Sequence, residues 1–134
     1  MRRIGRKGSE GFAFTGLDYA EFSDWAAINF HFRDGQKRLD LNHAWICRDS
    51  PTLGRVRAPW QKWVDQGLCT FVEDVSISPE LLADYIATMG RQYTIRMLAM
   101  DNFRWSGAIP ETLSMRRSKA KAGRPTLLWL SSRR

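Results

Sequence analysis

Residues 95–101, IRMLAMD, constrain the fold more than any other segment of this chain. Apolar or small residues fill this run almost throughout, Arg96 excepted, and it ends in Asp101. Consecutive apolar residues without helical spacing read as a strand buried on both faces, as inner strands of parallel sheets are. Such a strand needs neighbours at both edges and layers above and below, which specifies an α/β domain. It also carries a carboxylate to its own end. A buried carboxylate costs several kcal/mol unless it finds a partner, a metal ion or water. FAFTGLD, residues 12–18, repeats the pattern and ends in Asp18.

The segments between supply the rest of the sheet. DWAAINFHFRDGQKRLDLNHAWICRD, residues 24–49, reads as a β-hairpin with its turn at Asp34-Gly35. With residues 12–18 they make a three-stranded antiparallel meander. SPTLGRVR, residues 50–57, reads as a loop. Pro59 then opens a short helix with Trp60, Trp63 and Val64 on one face and Gly67 past its end. LCTFVEDV, residues 68–75, reads as a further short strand. The clearest helix follows. Ser78 is its N-cap, Pro79 its first residue and Glu80 an acid in the first turn. Leu81, Leu82, Tyr85, Ile86 and Met89 recur at helical spacing, and Gly90 is a natural stop. The helix makes a crossover that lays strand 95–101 parallel to a strand of the meander.

At 134 residues the chain is long enough for one domain with a core. With 43% hydrophobic and 26% charged residues it has a globular composition. No apolar run reaches the roughly 18 residues that span a bilayer, so no membrane partner is expected. MRRIGRKGSEG leads into no apolar signal segment, so no signal peptide is read. Cys47 and Cys69 sit in apolar runs and read as reduced core thiols of a cytoplasmic protein. Of the net charge of +7, the ends carry the basic excess. Residues 1–10 and 115–134 are basic, whereas residues 11–114 hold more acids than bases. Basic ends favour a polyanion such as DNA, although a basic tail can also simply be solvated. The expected organisation is a tail over 1–11, an α/β domain over 12–114 and a basic, disordered tail over 115–134.

Open α/β sheets bind ligands beyond the carboxyl ends of their strands. Strands 12–18 and 95–101, if neighbours, would bring Asp18 and Asp101 to one edge, about 4.8 Å apart strand to strand. Paired carboxylates suit Mg²⁺ or Mn²⁺, hard ions that prefer oxygen ligands. Two such ions about 4 Å apart can activate water and stabilise the leaving oxygen of a phosphodiester. The plainer alternative makes Asp101 a helix N-cap and Asp18 a turn residue. Asp24 reads as a solvent-facing strand start and Arg104 as a surface cation. His31 and His43 read as ordinary sheet residues, and the tryptophans as packing residues.

GLDYAEFSDWAAINFHF, HAWICRDS, VRAPWQKWVDQGLCTFVEDVSISPELLADYI and IRMLAMDNFRW occur in the order seen in phage terminase large subunits, the motors that package viral DNA. Residues 12–106 resemble the first part of their C-terminal nuclease domain. The resemblance implies an RNase H-like fold and metal-dependent endonuclease action on double-stranded DNA. It also implies a two-metal site of Mg²⁺ or Mn²⁺ whose first ligands are Asp18 and Asp101. Its implied partners are DNA, a terminase small subunit, a portal or a separate terminase fragment, in the cytoplasm of a bacterial host. Two departures qualify it. The chain has no GxxxxGK[ST] loop for ATP. It also has no acid after Glu111, where the family places a third metal carboxylate. The expectation is therefore a truncated, prophage-like piece, incomplete at its C-terminus, with weak or no activity. The alternative is a non-catalytic DNA-binding remnant that uses its basic tails.

Overall fold

The computed structural model describes residues 12–19, 25–101 and 126–130. Its strands are β1 (Phe12–Asp18), β2 (Trp25–Asp34), β3 (Lys37–Cys47), β4 (Cys69–Val72), β5 (Ile95–Asp101) and β6 (Thr126–Leu130). Its helices are α1 (Pro51–Arg55), α2 (Trp60–Asp65) and α3 (Pro79–Gln92). The strands form one mixed sheet in the order β4-β3-β2-β1-β5-β6. β1, β2 and β3 are the antiparallel meander, and β4, β5 and β6 each join in parallel to β3, β1 and β5. This is the mixed sheet with flanking helices that the residues predict, and it agrees with the RNase H-like fold that the resemblance implies.

The hairpin turn is two residues long, Gly35–Gln36, and closes on the pair Asp34 and Lys37. Gly35 has φ +57°, the left-handed conformation that a tight hairpin requires at its first central residue. Two-residue closure fixes the register, and alternation then does the sorting. Ala26, Ile28, Phe30 and Phe32 turn to one face of β2 and are buried. On β1 the buried residues are Ala13, Thr15 and Leu17, and on β5 they are Leu98 and Met100. α3 covers this face with Leu82, Ala83 and Ile86, and Leu81, Tyr85 and Met89 pack beside them. Its start follows the sequence closely. The Ser78 hydroxyl accepts a hydrogen bond from the Leu81 amide at 3.2 Å, and Pro79 occupies the first turn. Thr15 is the one discord: its Oγ1 is buried with no hydrogen-bond partner among the described residues.

Several expectations need correction. Residues 50–57 are not all loop, because Pro51–Arg55 forms a short helix. The strand expected over 68–75 is only Cys69–Val72, as the chain bends away at Glu73–Val75. Gly90 does not stop α3, which runs on to Gln92. A glycine costs a helix only about 1 kcal/mol, which the buried Leu82, Ala83 and Ile86 of α3 outweigh. β5 is not buried equally on both faces: Leu98 and Met100 are buried, Met97 and Ala99 only half-buried.

The largest correction concerns the expected disordered tail over 115–134, within which Thr126–Leu130 forms β6 beside β5. TLLWL is too short to show a period, yet a strand of five residues needs only extended backbone and an open edge. β5 offers that edge, with unpaired backbone groups that a further strand satisfies. The sheet therefore does not end at β5. Residues 1–11, 115–125 and 131–134 of the expected tails lie outside the described residues.

Candidate functional site

Every strand of the sheet but β2 runs in the same direction, so β1 and β5 end at one edge. Their register pairs Gly16 with Ala99 and Leu17 with Met100. The next residue on β1 is Asp18 and on β5 Asp101, each the last of its strand. Asp18 falls by alternation on the face opposite α3, the same face as Gly16. The Asp18 side chain is exposed and has no hydrogen-bond or ion-pair partner among the described residues. The backbone thus brings the two sequence-predicted aspartates to adjacent positions. Asp24 and Arg104 lie outside the described residues.

In front of this edge lies an open groove of about 650 Å³, with Gly16, Asp18, Ala27, Asn29, Asn42 and Ala99 among its lining. Its floor is low because the residues are small, and a Cβ added at Gly16 would meet nothing within 4 Å. An amide ladder crosses the floor. The Asn29 side-chain N–H donates to Asn42 Oδ1 at 2.7 Å and to Asp40 Oδ1 at 3.3 Å. Asp40 also meets His31 Nδ1 at 2.8 Å. Hydrogen bonds from His31 first, and then from Asn29, hold the Asp40 carboxyl below its ordinary pKa.

His43 has a structural task. Its Nδ1–H donates to the Gly67 carbonyl at 3.0 Å, and its Nε2 accepts from the Thr70 hydroxyl at 2.9 Å. Its ring stacks on Tyr85 at 5.1 Å between centroids. Burial lowers its pKa, against the Gly67 hydrogen bond that raises it. His43 ties β3 to β4 and α3 and is an ordinary sheet residue, as expected. The tryptophans mainly pack. Trp45 is buried, while Trp60 meets Trp25 and Trp63 edge to face at 5.8 and 5.2 Å. Cys47 and Cys69 are free and buried, and burial raises both thiol pKa values, which makes them poor nucleophiles.

Among the described residues no group of three or more His, Cys, Asp or Glu side chains could hold a metal ion. At the β1/β5 edge the exposed Asp18 carboxylate is an oxygen donor of the kind that hard divalent ions take. No helix among the described residues is long and apolar enough to cross a membrane.

The mixed sheet has a terminase-like fold. The crystal structure of the HK97 bacteriophage large terminase is similar to it, with a TM-score of 0.73 at 16% sequence identity. The match covers 97% of this chain and 26% of that one, so the chain spans about a quarter of that terminase. No protein-family model and no curated protein matches the sequence.

Proposed function

We propose that this chain is a terminase-type nuclease domain that cleaves double-stranded DNA with Mg²⁺ or Mn²⁺ during phage genome packaging. The observation that carries the reading is the parallel register of β1 and β5, which sets Asp18 beside Asp101 at the carboxyl edge of the sheet. Asp18 and Asp101 would hold the metal, which when bound supplies an activated water and neutralises charge on the phosphate. The chain's own part is placement. Gly16, Ala27 and Ala99 keep the floor low enough for a sugar–phosphate backbone to approach the carboxylates. Asn29 and Asn42 offer uncharged hydrogen-bonding groups beside them. The likeness to a phage terminase supports DNA and packaging partners in general; a small subunit, a portal or a companion terminase fragment would be the partners of this reading.

The second reading is DNA binding without catalysis, favoured by the basic excess of residues 1–10 and 115–134. A plasmid-nicking assay separates the two. The nuclease reading expects nicking with Mn²⁺ that EDTA stops and that Asp18→Asn or Asp101→Asn abolishes. Metal-independent DNA binding without nicking by the folded chain favours the second reading.

A further inference from the structure

The face that carries Asp18 is not uniform along its length. Its far end, at the start of β1, is basic. Phe12 pairs with Arg33 on β2, and Arg33 pairs directly with Arg38 on β3. Cross-strand partners share a face, so both arginines lie on the face of Phe12, Phe14, Gly16 and Asp18. The register of β1 and β5 shifts between Ala13 and Phe14, and Arg96 is the additional residue on β5. The Arg96 guanidinium lies over the Phe12 ring, 4.4 Å from its centroid.

Arg33, Arg38 and Arg96 are exposed and have no ion-pair partner among the described residues. Arg38 is felt electrostatically by Asp40, but that carboxylate is hydrogen-bonded to His31 and Asn29. Like charges directly across a sheet destabilise it. Folding alone therefore gives no reason to set Arg33 against Arg38, whereas an external anion does. Phe12 and Asp18 are six residues apart on one strand, about 20 Å, close to the rise of six base pairs of duplex DNA. The surface between them carries Phe14 with His31 and Asp40 across the strands, and then the small-residue and amide floor of the groove.

We propose that Arg33, Arg38 and Arg96 form a phosphate-binding cluster that holds the DNA backbone about 20 Å from the Asp18 edge, with the duplex lying along β1. The proposal rests on the DNA reading of the site and assigns the residues that orient the duplex. Guanidinium forks pair with phosphate oxygens, and the Phe12 ring holds one of them in place. These are positioning contacts and carry no sequence preference.

The test is fluorescence anisotropy of a labelled mixed-sequence duplex with the full chain, in EDTA, across a series of KCl concentrations. Each lost phosphate contact should reduce the slope of log K against log salt by about 0.9. Arg33→Ala/Arg38→Ala should therefore bind more weakly with a slope shallower by about 1.8, and Arg96→Ala should lose about half as much. Arg33→Lys/Arg38→Lys should restore the slope, and Arg91→Ala, on α3 at the other face, should leave it unchanged. Thermal melts should show Arg33→Ala/Arg38→Ala at least as stable as the parent. A wild-type slope and affinity in the double alanine variant would overturn the cluster. If the parent nicks plasmid through Asp18 in that case, the nuclease reading stands alone. A parent chain that binds no duplex would remove both.

Discussion

Leu17 of β1 lies beside Met100 of β5 in parallel register, and the residue that follows each of them is an aspartate. Two aspartates thus end adjacent strands at one edge, and the exposed Asp18 side chain lies on the face that α3 does not cover. Single-site removal should show this dependence. Asp18→Asn is nearly isosteric and its side chain is exposed, so stability should change by no more than about 0.5 kcal/mol. Divalent-dependent nicking, followed on supercoiled plasmid, should vanish.

His43 makes stability depend on pH. Its pKa is lowered in the folded state from the ordinary 6.5, with burial the main cause. Below pH 6.5 the unfolded chain binds the proton and the folded chain does not, so unfolding is favoured as pH falls. The stabilising contribution is full above 6.5 and is lost as pH falls through the folded pKa. Urea melts between neutral and mildly acid pH should show this loss, and His43→Gln should flatten it.

Thr15 should be replaceable with gain. Its buried Oγ1 lacks a partner among the described residues, so the hydroxyl is desolvated without return. Thr15→Val keeps the β-branched shape and should raise the unfolding free energy by about 1 kcal/mol, measured by urea titration.

The cap on α3 should matter by a similar amount in the other direction. Ser78→Ala removes the acceptor for the Leu81 amide and should cost about 1 kcal/mol. Leu82→Ala, which empties a fully buried position against the sheet, should cost about 2–5 kcal/mol. Urea titrations of the two variants should rank them in that order.

Most of the architecture was legible because its signals are local. Gly35 announces the hairpin, Ser78-Pro79 the start of α3, and the run to Asp101 the inner strand. The candidate aspartates were legible for the same reason, since each ends an apolar run. What the sequence hid depends on neighbours. Nothing local in TLLWL distinguishes a stray apolar run from β6; only the open edge of β5 does. Gly90 reads as a stop, yet a single glycine is a small cost to a helix that buries Leu82, Ala83 and Ile86 against the sheet. The arginine cluster was partly within reach. Two-residue closure at Gly35–Gln36 already implies that Arg33 faces Arg38, but the bulge that adds Arg96 is visible only in the paired strands.

The central claim is that Asp18 and Asp101 act together on one divalent ion. Electron paramagnetic resonance of free Mn²⁺, titrated with the purified chain, tests it without requiring cleavage. The account predicts saturable binding by the parent that weakens at least about tenfold in Asp18→Asn and equally in Asp101→Asn, with no further loss in the double variant. Binding that survives either substitution unchanged would contradict it.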